Sequence, residues 1–87
     1  MNAPSPDPFG TVHRTADLRG LQCPLPVLKA GRRLRDMASG ERLLVLTDDP
    51  LAGLDVPNFC REAGHELVAQ KAGEAEHELH FVIERAG

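Results

Sequence analysis

The side chain in this sequence best suited to chemistry is the thiol of Cys23, in the run Leu21-Gln22-Cys23-Pro24-Leu25-Pro26. The run lies between a strand-like segment and a helix-like one, which sets a thiol at the mouth of a helix. A helix start leaves backbone N–H groups unpaired and carries partial positive charge. Both favour the thiolate, the nucleophilic form of cysteine. Proline suits the first helical turn, because its fixed φ is helical and the N–H it lacks had no partner there. With Cys23 as N-cap, Pro24 and Pro26 stiffen the platform and leave only the N–H groups of Leu25 and Val27 near the sulfur. Arg19 is the cation nearest in sequence and would add to the pull toward thiolate. A cysteine is often just a small buried residue. The two flanking prolines describe instead a fixed turn on the surface.

The elements that must hold this turn are legible from periodicity. Val12 to Leu18 reads as a strand ended by Arg19-Gly20. From Pro24 to about Ala38, Val27, Gly31, Leu34 and Ala38 recur at helical spacing, with Leu28 and Met37 beside them. Gly31 on that stripe would let the helix lie close to a sheet, and Ser39-Gly40 stops it. Leu43-Leu44-Val45-Leu46 is a continuous apolar run, the pattern of a central strand covered on both sides or nearly so. After Asp48-Asp49-Pro50 a second helical stretch follows, with Asp55 as the N-cap of its main part, Val56 and Pro57 in the first turn there, and Ala63-Gly64 at its end. Its inward contacts come from Val56, Phe59, Cys60 and Ala63. Leu67 to Lys71 alternates as a strand, and Gly73 to Glu76 is a turn. His77 to Glu84 is a final strand with Leu79, Phe81 and Ile83 on one face and His80, Val82 and Glu84 on the other. The order β-α-β-α-β-β predicts an α/β (α+β) two-layer sandwich, a four-stranded mixed sheet with two helices on one face.

Composition narrows the functions open to such a fold. The chain has 87 residues, no Trp or Tyr and three Phe, so its core is aliphatic and its surface offers little for stacking on bases. A net charge of −3 argues against direct nucleic-acid binding through bulk charge. No stretch reaches transmembrane length, and the N-terminus lacks the basic start and apolar run of a secretory signal. Residues 1–11, rich in proline, read as a disordered tail before a single domain over residues 12–86. Two well-separated cysteines without an export signal point to free thiols and a cytoplasmic location.

Other chemistry-bearing residues have simpler readings. Cys60 has helical spacing to Val56 and Ala63, which suits a buried structural thiol. Asp48, Asp49 and Asp55 suit caps and turns, and His65 closes the turn after Gly64. His77-Glu78-Leu79-His80 resembles a metal motif, but strand residues three apart point to opposite faces, so no metal is expected. Lys29, Arg32, Arg33 and Arg35 give the first helix a basic outer side, either a solvated face or a docking strip for an acidic partner surface.

The run Asp17-Leu18-Arg19-Gly20-Leu21-Gln22-Cys23-Pro24-Leu25-Pro26 resembles the Cys-Pro-x-Pro signature of the TusA/SirA family of sulfur carriers. The likeness continues through Gly40-Glu41, Asp48-Asp49-Pro50, Asp55 to Cys60 and Gly64 to Leu67, covering roughly residues 15–85. It implies a two-layer sandwich like the C-terminal domain of a translation initiation factor. It also implies a persulfide on Cys23, taken from a cysteine desulfurase or rhodanese-like donor and passed to a sulfur-acceptor protein. The pathways served by such proteins include tRNA 2-thiolation, molybdenum cofactor synthesis and sulfur oxidation. Members linked to tRNA thiolation often carry Glu between the two prolines, where this chain has the apolar Leu25.

Thiol exchange of this kind calls for no metal, nucleotide or organic cofactor. It makes the chain a sulfurtransferase-type carrier that presents sulfur rather than a self-sufficient catalyst. Two other readings stand beside it. One is a thiol redox protein pairing Cys23 with Cys60, although Cys-x-x-Cys is absent. The other is a regulatory, partner-binding module of the same fold that carries no sulfur.

Overall fold

The computed structural model describes residues 12–86, so the tail expected over residues 1–11 lies outside the described residues. The elements are β1 (Arg14–Asp17), α1 (Leu25–Arg35), β2 (Arg42–Thr47), α2 (Ala52–Ala63), β3 (Glu66–Ala72) and β4 (Leu79–Glu84). The sheet order is β1-β2-β4-β3. β1 and β2 are parallel, with Ala16 opposite Val45, and β4 runs antiparallel to both β2 and β3. The expected sandwich and element order are what the chain adopts.

Parallel pairing of β1 with β2 has a consequence for the site. Each is followed by a helix, so α1 and α2 both start at the same end of the sheet, beyond the strands' C-terminal ends. The core lies between these helices and one sheet face. From α1 come Pro26, Ala30 and Leu34, and from α2 come Ala52, Val56 and Cys60, each set spaced one turn apart. The sheet contributes Ala16, Leu43, Val45, Phe81 and Ile83, all at most 1% exposed.

Three expectations are corrected. The buried stripe of α1 sits one residue earlier than the apolar pattern suggested, because Pro26 and Ala30 face inward while Leu28 and Ala38 are exposed. Leu28 is an apolar residue on the outer face, which displaced the reading. Gly31 does allow a close approach, but to α2: a Cβ there would meet the Phe59 ring at 3.3 Å. β2 is covered on one side only. Its burial alternates, with Leu43, Val45 and Thr47 buried and Leu44 and Leu46 half-exposed. On that open face Val82 is nonetheless fully buried, flanked in register by Leu44 and Ala69.

α2 starts earlier than expected. Its N-cap is Leu51, and Pro57 lies inside the helix. A proline within a helix removes one backbone bond, which is why a reading from sequence places the start just before it. Asp55 is therefore a first-turn residue whose carboxylate is free of capping duty. The far ends are tied as well. Arg85 Nε donates to the Leu34 carbonyl at 2.6 Å, satisfying an acceptor at the end of α1. Ala86 N–H donates to His65 Nδ1 at 2.9 Å.

Candidate functional site

Two loops build the site, one after each parallel strand. Gly20 turns the first with a φ of +87°, a conformation that side chains with a Cβ rarely adopt. Its N–H donates to Asp48 Oδ1 at 2.8 Å. Three residues on, Cys23 N–H donates to Asp49 Oδ2 at 3.1 Å. Asp49 is only 8% exposed, and its own carbonyl accepts from Ala52 N–H at 3.0 Å at the entry to α2. The adjacent aspartates thus staple the cysteine loop to the loop that launches the second helix. A charge-assisted bond from a backbone N–H to a mostly buried carboxylate is a strong form of such a tie.

Cys23 itself is exposed. It precedes the helix cap instead of forming it: Pro24 is the N-cap, with φ −96° and ψ 12°. The Leu25 N–H, one of two donors expected near the sulfur, instead closes a turn onto the Gln22 carbonyl at 2.9 Å. The sulfur therefore has fewer backbone donors than the sequence suggested.

What it has instead is negative charge. One donor atom each from Cys23, Asp49 and Asp55 lie within 4.8 Å of one another. The Asp55 carboxylate is placed to accept a hydrogen bond from the thiol. That interaction, followed by desolvation and the charges of Asp55 and Asp49, raises the Cys23 pKa above its ordinary value. The expected thiolate bias is thus reversed. A helix end offers about half an elementary charge, whereas each carboxylate brings a full one. Arg19 does not offset them. Its guanidinium is bound to Asp17 at 2.8 Å and reaches Glu78 at 3.8 Å, and it holds the Asp17 carboxyl down at about 2.

A shallow cleft of about 270 Å³ opens beside the sulfur. Val27 and Phe59 line it with apolar surface, and Asp55, Asn58 and Glu62 of α2 line it with acceptors. Pro24 lines it, while Pro26 is buried on the inner face of α1. Four leucines near the starts of the two helices are exposed: Leu25 and Leu28 in α1, Leu51 and Leu54 at the start of α2, with Leu54 63% exposed.

The four basic residues of α1 are all exposed, and among the described residues none forms an ion pair. They do not make one strip. At 3.6 residues per turn, Arg32 and Arg35 share the outward face with Leu25 and Leu28. Lys29 and Arg33 fall on the flank away from Phe59. Cys60 is 2% exposed, and burial pushes its thiol up to about 11. His77 turns toward Glu76, while Glu78 pairs with His80 at 2.5 Å.

Sequence reasoning passed over Asp49, Asp55, Leu51 and Leu54 as members of the site. The aspartates carried a signal that was available, an acidic run placed after a strand parallel to the one before Cys23. The leucines carried none, since an exposed leucine cannot be told from a core one by type.

The comparisons bear on the same residues. A family model described as sulfurtransferase TusA matches residues 14–85. Among solved structures, the crystal structure of a SirA-like protein from Desulfitobacterium hafniense is similar in fold, with a TM-score of 0.68. It is 21% identical, and the match covers 86% of this chain and 100% of that one.

Proposed function

The chain belongs to the TusA sulfurtransferase family, and from that footing we propose that Cys23 accepts a sulfane sulfur as a persulfide and relays it to a partner protein. The observation that carries this reading is the contrast between the chain's two free thiols. Cys23 is exposed, with its backbone clamped by Asp49 and its sulfur beside an open cleft, and Cys60 is sealed in the core. A persulfide adds one sulfur about 2 Å beyond the first, and the cleft between Val27 and Phe59 has room for it.

In loading, the Cys23 sulfur attacks the outer sulfur of a donor persulfide. A bond forms between them, the donor's S–S bond breaks, and its electron pair leaves on the donor thiol. Partners dock over the sulfur, on the exposed leucines near the two helix starts, with Arg32 and Arg35 meeting acidic groups at the rim. Apolar centres with charged rims are the common anatomy of such interfaces. A cysteine desulfurase or rhodanese-like protein fits the donor role, and a thiol-bearing protein of a sulfur pathway fits the acceptor role. Burial of Cys60 weighs against redox pairing of the two cysteines.

The test is intact mass after incubation with a cysteine desulfurase and cysteine. The expected result is a reducible gain of one sulfur atom in the wild type and in Cys60→Ser, and none in Cys23→Ser. Equal loading of Cys23→Ser would overturn the assignment.

A further inference from the structure

We propose that Asp55, backed by Asp49, is a positioning residue that keeps the Cys23 sulfur protonated, so that the loaded chain presents a neutral outer sulfur which an acceptor thiolate can attack. This deepens the sulfur-carrier reading and rests on it.

The geometry supplies the charge from two elements. Asp49 comes from the loop after β2 and holds the Cys23 N–H at 3.1 Å. Asp55 comes from the first turn of α2, and one oxygen from each carboxylate lies within 4.8 Å of the sulfur. Glu62, two turns further along α2, joins Asp55 as a second acid in the cleft wall. No cation lines this cleft among the described residues. Arg19 is held by Asp17 and Glu78, and Lys29 and Arg32 lie further along α1. The positive end of α1 is the one opposing influence.

The chemistry explains why a carrier would surround its sulfur with acids. To give sulfur away, the S–S bond of Cys23–S–SH must be attacked at its outer atom. The acceptor thiolate forms a bond to that atom, the S–S bond breaks, and its electron pair goes to the Cys23 sulfur. As that bond breaks, the S–SH proton held by Asp55 moves to the Cys23 sulfur, so no thiolate is left beside the acids and the products are Cys23–SH and acceptor–S–S⁻. Charge and atoms balance, and no oxidant or reductant is consumed. A deprotonated outer sulfur would repel the incoming thiolate. Carboxylates beside the site disfavour that anion, and Asp55 can take a hydrogen bond from either S–SH or S–H. They also keep the empty thiol unreactive until a partner covers the acids and changes their environment.

The experiment has two arms on purified full-length chain carrying Cys60→Ala, so that Cys23 is the one thiol read. The first follows iodoacetamide alkylation against pH. Asp55→Asn moves the inflection to lower pH and speeds alkylation at neutral pH by about threefold or more, while Asp55→Glu stays near the parent. The second loads Cys23 with sodium polysulfide and follows discharge to 2-mercaptoethanol. Asp55→Asn slows discharge by about threefold or more, with thermal melting unchanged and Asp55→Glu restoring the rate. An unmoved inflection, or unchanged discharge by loaded Asp55→Asn, overturns the proposal. If the parent takes up no sulfur from any donor, the carrier reading fails, an outcome distinct from the alkylation profile, which needs no loading.

Discussion

The two cysteines are the same residue type in equivalent parts of the fold, each belonging to a strand–helix unit, yet their surroundings differ. Cys23 lies ahead of α1, exposed, with the carboxylates of Asp49 and Asp55 close by and an open cleft partly walled by Asp55 beside it. Cys60 is one turn beyond Val56 on the inner face of α2 and is 2% exposed. Both thiols have their pKa raised, but for unlike reasons. At Cys60 the cause is the loss of water, which only unfolding reverses. At Cys23 the leading cause is the Asp55 carboxylate as a hydrogen-bond acceptor at the surface, then desolvation and the charges of Asp55 and Asp49, and a docked partner can alter these. Reactivity is therefore a property of the loop staples and the acids, and thiol content alone does not reveal it.

The sharpest way to break this comparison is to remove each sulfur in turn. Cys23→Ser should lose all loading while stability stays within about 0.5 kcal/mol, as for most exposed substitutions. Cys60→Ser should load normally yet lose roughly 1–3 kcal/mol, the cost of burying a hydroxyl without a partner. Mass spectrometry and urea denaturation on the same samples separate the two, and a loading defect in Cys60→Ser would collapse the distinction.

The same contrast extends to leucines. Leu34, fully buried, should cost about 2–5 kcal/mol when cut to alanine. Leu54→Ser in the exposed first turn of α2 should leave the melting curve in place and raise the KM for the sulfur donor. Charge reversal at Arg32 and Arg35 should slow loading about tenfold at low ionic strength, and the defect should shrink as salt screens it. A salt-independent defect would mean that these arginines do not steer a partner.

The smallest effect belongs to the core end of α2. His65 accepts from Ala86 N–H, and burial, then Arg85, lowers its pKa from 6.5. Below that value the unfolded chain binds the proton more readily than the folded one. Stability contributed by neutral His65 is thus present above pH 6.5 and lost as pH falls through its lowered folded pKa. Replacement by Gln should flatten that slope in denaturation curves at successive pH values. Cys23 alkylation should be untouched by the change.

Much of this was legible before any coordinates. Cys23 announced itself by its prolines, and the β-α-β-α-β-β order followed from periodicity. Cys60 read as a core residue from its spacing. Two of the misses share one cause, that amphipathic patterns do not say what lies opposite them. Leu28 looked like core and faces water, and Gly31 looked like a contact to the sheet and touches Phe59. Pro57 hid the true start of α2, and with it the freedom of Asp55.

The residue types alone determined an aliphatic two-layer fold, a stiff cysteine turn and the family to which the chain belongs. They did so because local stereochemistry and hydrophobic period act over a few neighbouring residues. The tertiary structure alone decided the state of the sulfur. The parallel pairing of β1 with β2 brings Asp49 and Asp55 to Cys23 across 26 and 32 positions of chain. Electrostatic influence falls with distance in space, and that distance is set only when the sheet forms.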